Sequence, residues 1–239
     1  MKELNEVHIV DISHDIDKFN ATQAAYVFGN AFRHFPEGTI HILGIKAGNE
    51  PNERFLAMEV ERQIILCPDN GIVNLLMENS SSAVIKEFTQ TKKEDALFFV
   101  RDILAPMAVQ LIKNPGLLIA MPNALNTRQI LSYLPTSNAN SITGRCIYMD
   151  TYGNVITNIR KQFFEECRRE RAFNIYLPGT KIKKISSNYD DVPEISPVAL
   201  FNNSGYLEIA VNKGQAKQLL FPRNFNSHTD FNITIEFTE

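Results

Sequence analysis

Ile147-Tyr148-Met149-Asp150-Thr151-Tyr152-Gly153-Asn154-Val155-Ile156-Thr157-Asn158-Ile159 places two β-rich runs on either side of a short polar turn. The turn offers a carboxylate, an aromatic ring, a glycine and a carboxamide at consecutive or near-consecutive positions. Glycine permits positive φ and close backbone approach. A carboxylate accepts from hydroxyls, and an asparagine both donates and accepts. Such a turn has two readings: a hairpin built from ordinary turn formers, or a grip on a polar small molecule held against the ring of Tyr152.

Downstream of this hairpin the chain continues as short strands at residues 173–177, 198–201, 206–211 and 231–237, with one short helix at 161–171. In the last strand Phe231, Ile233, Ile235 and Phe237 alternate with Asn232, Thr234 and Glu236, the signature of a half-buried strand. Upstream, the texture differs. Residues 7–12 read as a strand, Asn20 as a helix cap, and Ala24, Val27, Phe28, Ala31, Phe32 and Phe35 as one helical apolar stripe. Residues 39–45 read as a buried strand, so a βαβ unit with a parallel pair is expected. A hairpin follows (55–60 and 64–67), then a turn at Pro68-Asp69-Asn70-Gly71, a short helix at 71–77 and a helix over 102–113 with Pro106 in its first turn. The fold class is therefore α/β: an N-terminal α/β domain with a mixed sheet (1–134), a linker (135–141), and a small antiparallel, barrel-like β domain (142–239).

Composition narrows the function. The 239 residues carry 24 basic and 27 acidic side chains, a net charge of −3, which excludes a basic nucleic-acid footprint. The Lys181-Ile182-Lys183-Lys184 run alternates like an exposed strand face. No apolar run is long enough to span a membrane. Cys67, Cys146 and Cys167 are too widely spaced for a CxxC pair and suit reduced thiols in a cytoplasmic protein. The charged start, Met1 to Glu6, has no signal-peptide core. The histidines lack metal-ligand spacing, so no metal is expected.

Six segments, in order, carry a family resemblance: Ile9-Val10-Asp11-Ile12-Ser13-His14-Asp15-Ile16, Phe35-Pro36-Glu37-Gly38-Thr39-Ile40-His41, Pro68-Asp69-Asn70-Gly71, Arg101-Asp102-Ile103-Leu104-Ala105-Pro106, the 150–159 turn, and Asn203-Ser204-Gly205-Tyr206-Leu207-Glu208-Ile209-Ala210-Val211-Asn212. Together they resemble the S-adenosylmethionine (SAM) hydrolases, or SAM hydroxide adenosyltransferases, and the related fluorinases and chlorinases. The resemblance implies a homotrimer whose ligand sites lie between subunits, with SAM as substrate or ligand and no other cofactor. It implies that Phe19 stacks on the adenosine region, that Asp150, Tyr152 and Asn154 contact the amino-acid end or ring of the ligand, and that Asn203, Ser204 and Lys213 line the adenine end.

In this family water attacks the ribose 5′ carbon as a neutral thioether leaves, so the protein chiefly positions substrate and water. An Asp, an Arg and a His are credited with holding that water. Aligned by motif, Lys46 stands at the Asp position, Glu53 at the Arg position and Phe99 at the His position. Phenylalanine neither donates, accepts nor relays a proton. A one-residue slip would bring Arg54 to the arginine position; alternatively Lys46 and Glu53 keep a reversed ion pair of structural value. A lysine beside the sulfonium would repel it by about 3 kcal/mol at about 5 Å and an effective dielectric of about 20. The family's opening Thr-Asp-Phe-Gly strand, whose aspartates hold the ribose hydroxyls, has no counterpart ahead of Val7, which implies either a shortened or misassigned start or a missing first strand. Three functions stay open: a SAM-cleaving enzyme with a rearranged water site, a non-catalytic adenosyl- or nucleoside-binding protein, and a structural trimer.

Overall fold

Asn20 begins the first helix as its sequence position suggests: its side chain accepts from the Gln23 amide at 2.9 Å and starts α1, Ala21–Ala31. This is a computed structural model, and it describes residues 7–45, 54–77, 83–88, 98–130, 134–221 and 231–238. The chain divides into two compact units, Met1–Leu131 and Ser132–Glu239.

In the first unit, β1 (Ile40–Ile42), β2 (Phe55–Val60), β3 (Gln63–Pro68) and β4 (Val84–Phe88) form a sheet in the order β1-β3-β2-β4. The β2–β3 hairpin forms as expected from its two apolar arms, turning through Glu61 and Arg62, both at positive φ. Helix α2 (Ile72–Met77) follows the Asp69-Asn70-Gly71 turn, with the Ile72 amide bonded to Asn70 Oδ1. A π-turn over Val100–Leu104 leads into α3 (Ala105–Lys113), with Pro106 in its first turn, and α4 (Leu117–Ala120) comes next. Two apolar clusters cover the sheet: Phe28, Phe32, Leu56, Met58 and Ile65 in one, Phe55, Leu66, Leu104 and Leu111 in the other.

Two expectations fail here. Residues 7–12 are not a strand; they run as exposed chain, with Ile9 59% and Val10 63% exposed. A strand exists only through the ladder it joins, and among the described residues β1 pairs with β3 alone, which leaves 7–12 unpaired. A parallel pair is present, but it joins β1 to β3 rather than to 7–12. Residues 39–45 also give a shorter and less buried strand than their composition suggested, because β1 is the edge of the described sheet.

The second unit holds β5 (Thr136–Ser137), β6 (Ser141–Met149), β7 (Val155–Arg160), α5 (Lys161–Arg168), β8 (Ala172–Leu177), β9 (Thr180–Ile182), β10 (Pro197–Phe201), β11 (Tyr206–Val211), α6 (Ala216–Leu220) and β12 (Asn232–Thr238). Their order is β10-β11-β7-β6-β12-β8-β9, all antiparallel, with β5 added on β6, so Thr136, Ser137 and Ser141 of the expected linker are strand. The end strands β9 and β10 lie against each other, so the sheet is a nearly closed barrel. Its interior takes alternate residues: Ile233, Ile235 and Phe237 from β12, with Phe231 just ahead of it, and Leu207, Ile209 and Val211 from β11. Phe164 of α5 is fully buried, its ring 5.2 Å from and perpendicular to Phe173. At Gly144 the Ile159 side chain takes the space of a side chain; an added Cβ would lie 2.4 Å from Ile159 Cγ1.

His41 on β1 is buried among Phe28, Phe32 and Phe35, its ring edge-on to each, with Nε2 2.7 Å from Gln63 Oε1. Because the amide oxygen accepts, Nε2 is assigned the proton. Burial pushes the imidazole below its ordinary 6.5, outweighing the Gln63 bond, which favours the charged ring. The unfolded chain therefore binds this proton first, and stability is lost as pH falls below about 6.5. The melting temperature should drop more steeply from about pH 7.5 to about pH 5.5 in the wild type than in the double variant His41→Leu, Gln63→Leu, which removes both polar partners together. Parallel slopes for the two proteins would contradict this role.

Candidate functional site

Asp150 closes the β6–β7 turn on itself. Its carboxylate accepts from the Asn154 amide at 2.8 Å and from Asn154 Nδ2 at 3.0 Å, while the backbone pairs the Asp150 amide with the Asn154 carbonyl at 3.1 Å. Gly153 sits at φ +78, where an added Cβ would press on Gln215 Cβ at 3.1 Å, and its carbonyl accepts from the Lys217 amide of α6 at 2.9 Å. Asn154 is buried, whereas the Tyr152 ring is 76% exposed at the tip. The turn is thus a rigid mount for a presented aromatic ring. Asp150 and Asn154 spend most of their hydrogen bonding on each other.

Asn203 and Ser204 lie in a second turn. Asn202 Oδ1 accepts from the amides of Ser204 and Tyr206, both at 3.1 Å, and the Gly205 amide bonds the Asn202 carbonyl at 2.8 Å. Tyr206 pairs with Arg160 and Ile209 with Val155, so this turn and the Asp150–Asn154 turn occupy opposite ends of the β7–β11 ladder. The separation is roughly 16 Å at about 3.3 Å per residue. Lys213, at positive φ, falls at the Asp150 end and ion-pairs with Glu194 on the surface. Within this unit, then, Asp150, Tyr152, Asn154 and Lys213 share one end, and Asn203 and Ser204 the other.

Between them, on the face of β11 opposite the barrel interior, lies Glu208, which sequence reading passed over. It is only 4% exposed and accepts from Tyr189 Oη at 2.7 Å and Asn202 Nδ2 at 3.3 Å. Burial, with the nearby charge of Asp150 adding to it, pushes its carboxyl above the ordinary range against the pull of those two bonds. The available signal was the alternation itself: a carboxylate between Leu207 and Ile209 on a strand must face away from the core.

In the first unit Phe19 precedes the α1 cap with φ +64 and a ring 67% exposed. Its backbone is fixed by the Asn20 amide donating to the Asp17 carbonyl at 3.1 Å and the Asp17 amide donating to Gln23 Oε1 at 2.7 Å. Phe99, at the position of the expected histidine, is half-buried and stacks on Phe55 at 6.2 Å, packed against the second apolar cluster. Lys46 and Glu53 lie outside the described residues. Arg54, the slip candidate, is fully engaged: it donates to Asp69 Oδ2 at 2.9 Å from Nε and again from a terminal nitrogen, to Glu87 Oε2 at 3.0 Å, and to the carbonyls of Leu125 and Asn126, both at 2.8 Å. Asp69 also accepts from the Arg128 amide at 2.8 Å. Arg54 therefore pins residues 125–128 to the ends of β2, β3 and β4. Among the described residues no cluster of three or more His, Cys, Asp or Glu could hold a metal, and no helix is long and apolar enough to cross a membrane. Cys67 and Cys146 are buried thiols pushed up to about 12 by that burial, hence poor nucleophiles.

The chain as a whole is similar to known proteins. The SAM hydroxide adenosyltransferase N-terminal domain matches residues 1–118, and the C-terminal domain of the same family matches residues 144–223. The chain belongs to this family. It is 26% identical over 226 residues to the (R)-S-adenosyl-L-methionine hydrolase of Thermus thermophilus, covering 89% of this chain and 83% of that one. It is 25% identical over 229 residues to the hydrolase of the same name from Methanocaldococcus jannaschii, covering 92% and 82%. A fluorinase from Actinopolyspora mzabensis is 21% identical over 271 residues, covering 98% and 89%. In three dimensions it is similar to an uncharacterized conserved protein from Thermotoga maritima, with a TM-score of 0.78, 25% identity, and coverage of 96% of this chain and 89% of that one.

If Arg54 is a clamp, its loss acts on stability. Arg54→Leu leaves the largely buried Asp69 carboxylate without its main partner. It should lower unfolding stability by about 2–3 kcal/mol, below the 3–5 kcal/mol of a fully buried pair because the Arg54 side chain is 29% exposed. Chemical denaturation of Arg54→Leu against wild type measures this. Unchanged stability would return Arg54 to the candidates for ligand or water contact.

Proposed function

We propose that this protein binds an adenosyl compound, SAM or a nucleoside derived from it, without the water-holding trio that its hydrolytic relatives are credited with. Membership in a family whose named members are SAM hydrolases and fluorinases supports the ligand class. The observation that carries the reading is Phe19. A left-handed backbone on a bulky aromatic residue costs about 1–2 kcal/mol, yet two hydrogen bonds hold it there, and the ring gains no burial in return. A strained, solvent-facing aromatic ring suits stacking on a purine or ribose face. Tyr152 on its closed turn offers a second exposed ring of the same kind.

The reading departs from hydrolysis at three residues. Phe99 is packed against Phe55, where an imidazole would be needed, and Arg54 is engaged as a clamp. Lys46 replaces a carboxylate and would oppose rather than support a sulfonium. The assembly we propose is the homotrimer that the family resemblance implies.

Calorimetric titration with SAM and with adenosine tests the reading. Binding is expected, and Phe19→Ala should weaken it about thirtyfold, the mid-range of about 1–3 kcal/mol for an aromatic stack on a base. Tyr152→Ala should weaken it in the same direction. No heat from either ligand overturns the proposal. Light scattering should give a mass near three times the 27.1 kDa chain; a monomer contradicts the assembly.

A further inference from the structure

Glu208 is a carboxylate that the barrel buries without a counter-ion. It takes part in no ion pair among the described residues, and its partners are two neutral donors, Tyr189 Oη at 2.7 Å and Asn202 Nδ2 at 3.3 Å. Burying a carboxylate in this way is unfavourable unless it is fully hydrogen-bonded. What the carboxylate alone does is join two loops. Tyr189 belongs to the short 3-10 turn Tyr189–Asp191, closed by a capping box between Asn188 and Asp191. Asn202 heads the turn that carries Asn203 and Ser204, and its Oδ1 holds the amides of Ser204 and Tyr206. The Asn202 amide group is thus fixed from both sides: Glu208 takes its nitrogen, and the turn's own backbone takes its oxygen.

We propose that Glu208 is a positioning residue that, through Asn202, sets the conformation of the Asn203–Ser204 turn and, through Tyr189, ties that turn to the 189–191 loop. The tether deepens the adenosyl-binding reading and rests on it for its functional meaning, since Asn203 and Ser204 are its expected ligand contacts. It works by geometry rather than by charge. Among the described residues the charged group acting on Glu208 is Asp150, which repels it, while Tyr189 and Asn202 face it as neutral donors. An amide in place of the carboxylate keeps both contacts: its oxygen accepts from Asn202 Nδ2, and its nitrogen donates to a Tyr189 hydroxyl turned to accept.

Four variants of the full chain test the tether: E208A, E208Q, N202A and the double E208A/N202A, each titrated with adenosine and each followed by amide hydrogen exchange at Ser204 and Tyr206. E208A and N202A should each weaken adenosine about tenfold, and the double should be no weaker than either single, because both cut one linkage. E208Q should bind within about threefold of wild type and keep the Ser204 and Tyr206 amides protected, as a geometric tether requires and a charge-based one does not. If E208A fails to fold, Tyr189→Phe removes one arm at a half-exposed position, and faster exchange at Ser204 is the expected result. Wild-type binding with E208A unchanged, or independent losses that multiply in the double, overturns the tether. If wild type binds no adenosine, the adenosyl reading falls, and the exchange data decide the tether alone: unchanged Ser204 and Tyr206 protection in E208A overturns it.

Discussion

Both carboxylate oxygens of Asp150 are committed to Asn154, and that closed loop of bonds is the constraint on which the functional reading depends. It fixes the β6–β7 turn, buries Asn154, seats Gly153 against α6 and leaves Tyr152 as the part offered to solvent. A turn held in this way presents a ring in one orientation at little further entropic cost, which is how rigid mounts aid small-molecule recognition. The first unit uses the same logic by different means. Hydrogen bonds around Asp17, Asn20 and Gln23 hold Phe19 in a conformation it would otherwise avoid. Two exposed aromatic rings on two stiff supports are what the proposed binding reading rests on.

The chemistry parts company with the binding. Positioning a water for in-line attack needs groups that accept, donate and relay; on the proposed reading Phe99, aligned by the resemblance with the histidine, and Arg54, the slip candidate for the arginine, serve packing and clamping instead. Phe99 adds apolar contact to the Phe55 cluster, and Arg54 spends its donors on Asp69, Glu87 and two carbonyls. Each substitution is consistent with a stable first unit. Neither provides a hydrogen-bonding group for a water. On the proposed reading the presenting turns remain while these positions serve structure, as expected where stability and turnover make opposing demands on the same positions.

The legible parts of the sequence were those where period and punctuation agree. The alternation in 231–237 and the strands of the second unit followed from which face is buried, the Asn20 cap from its side-chain acceptor, and the 55–67 hairpin from two apolar arms. Residues 7–12 misled because a strand-like composition says nothing about whether a partner is present; pairing is non-local and no pattern encodes it. The same blindness hid Glu208, whose importance lies in Tyr189 and Asn202, nineteen and six positions away in the chain. Of the candidate site, Phe19, Asp150, Tyr152 and Asn154 were visible as residue types, but the use of the Asp150 carboxylate on Asn154, and the placement of Asn203 and Ser204 at the far end of β11, required the register.

The central claim is that ligand recognition has outlived the water-holding network. A single-turnover experiment addresses it most directly: protein in excess over SAM, quenched over time and separated by chromatography. The account predicts SAM recovered intact at the rate of its uncatalysed decay while protein-bound. Adenosine and methionine appearing together, faster than that decay and in step with protein concentration, would contradict it.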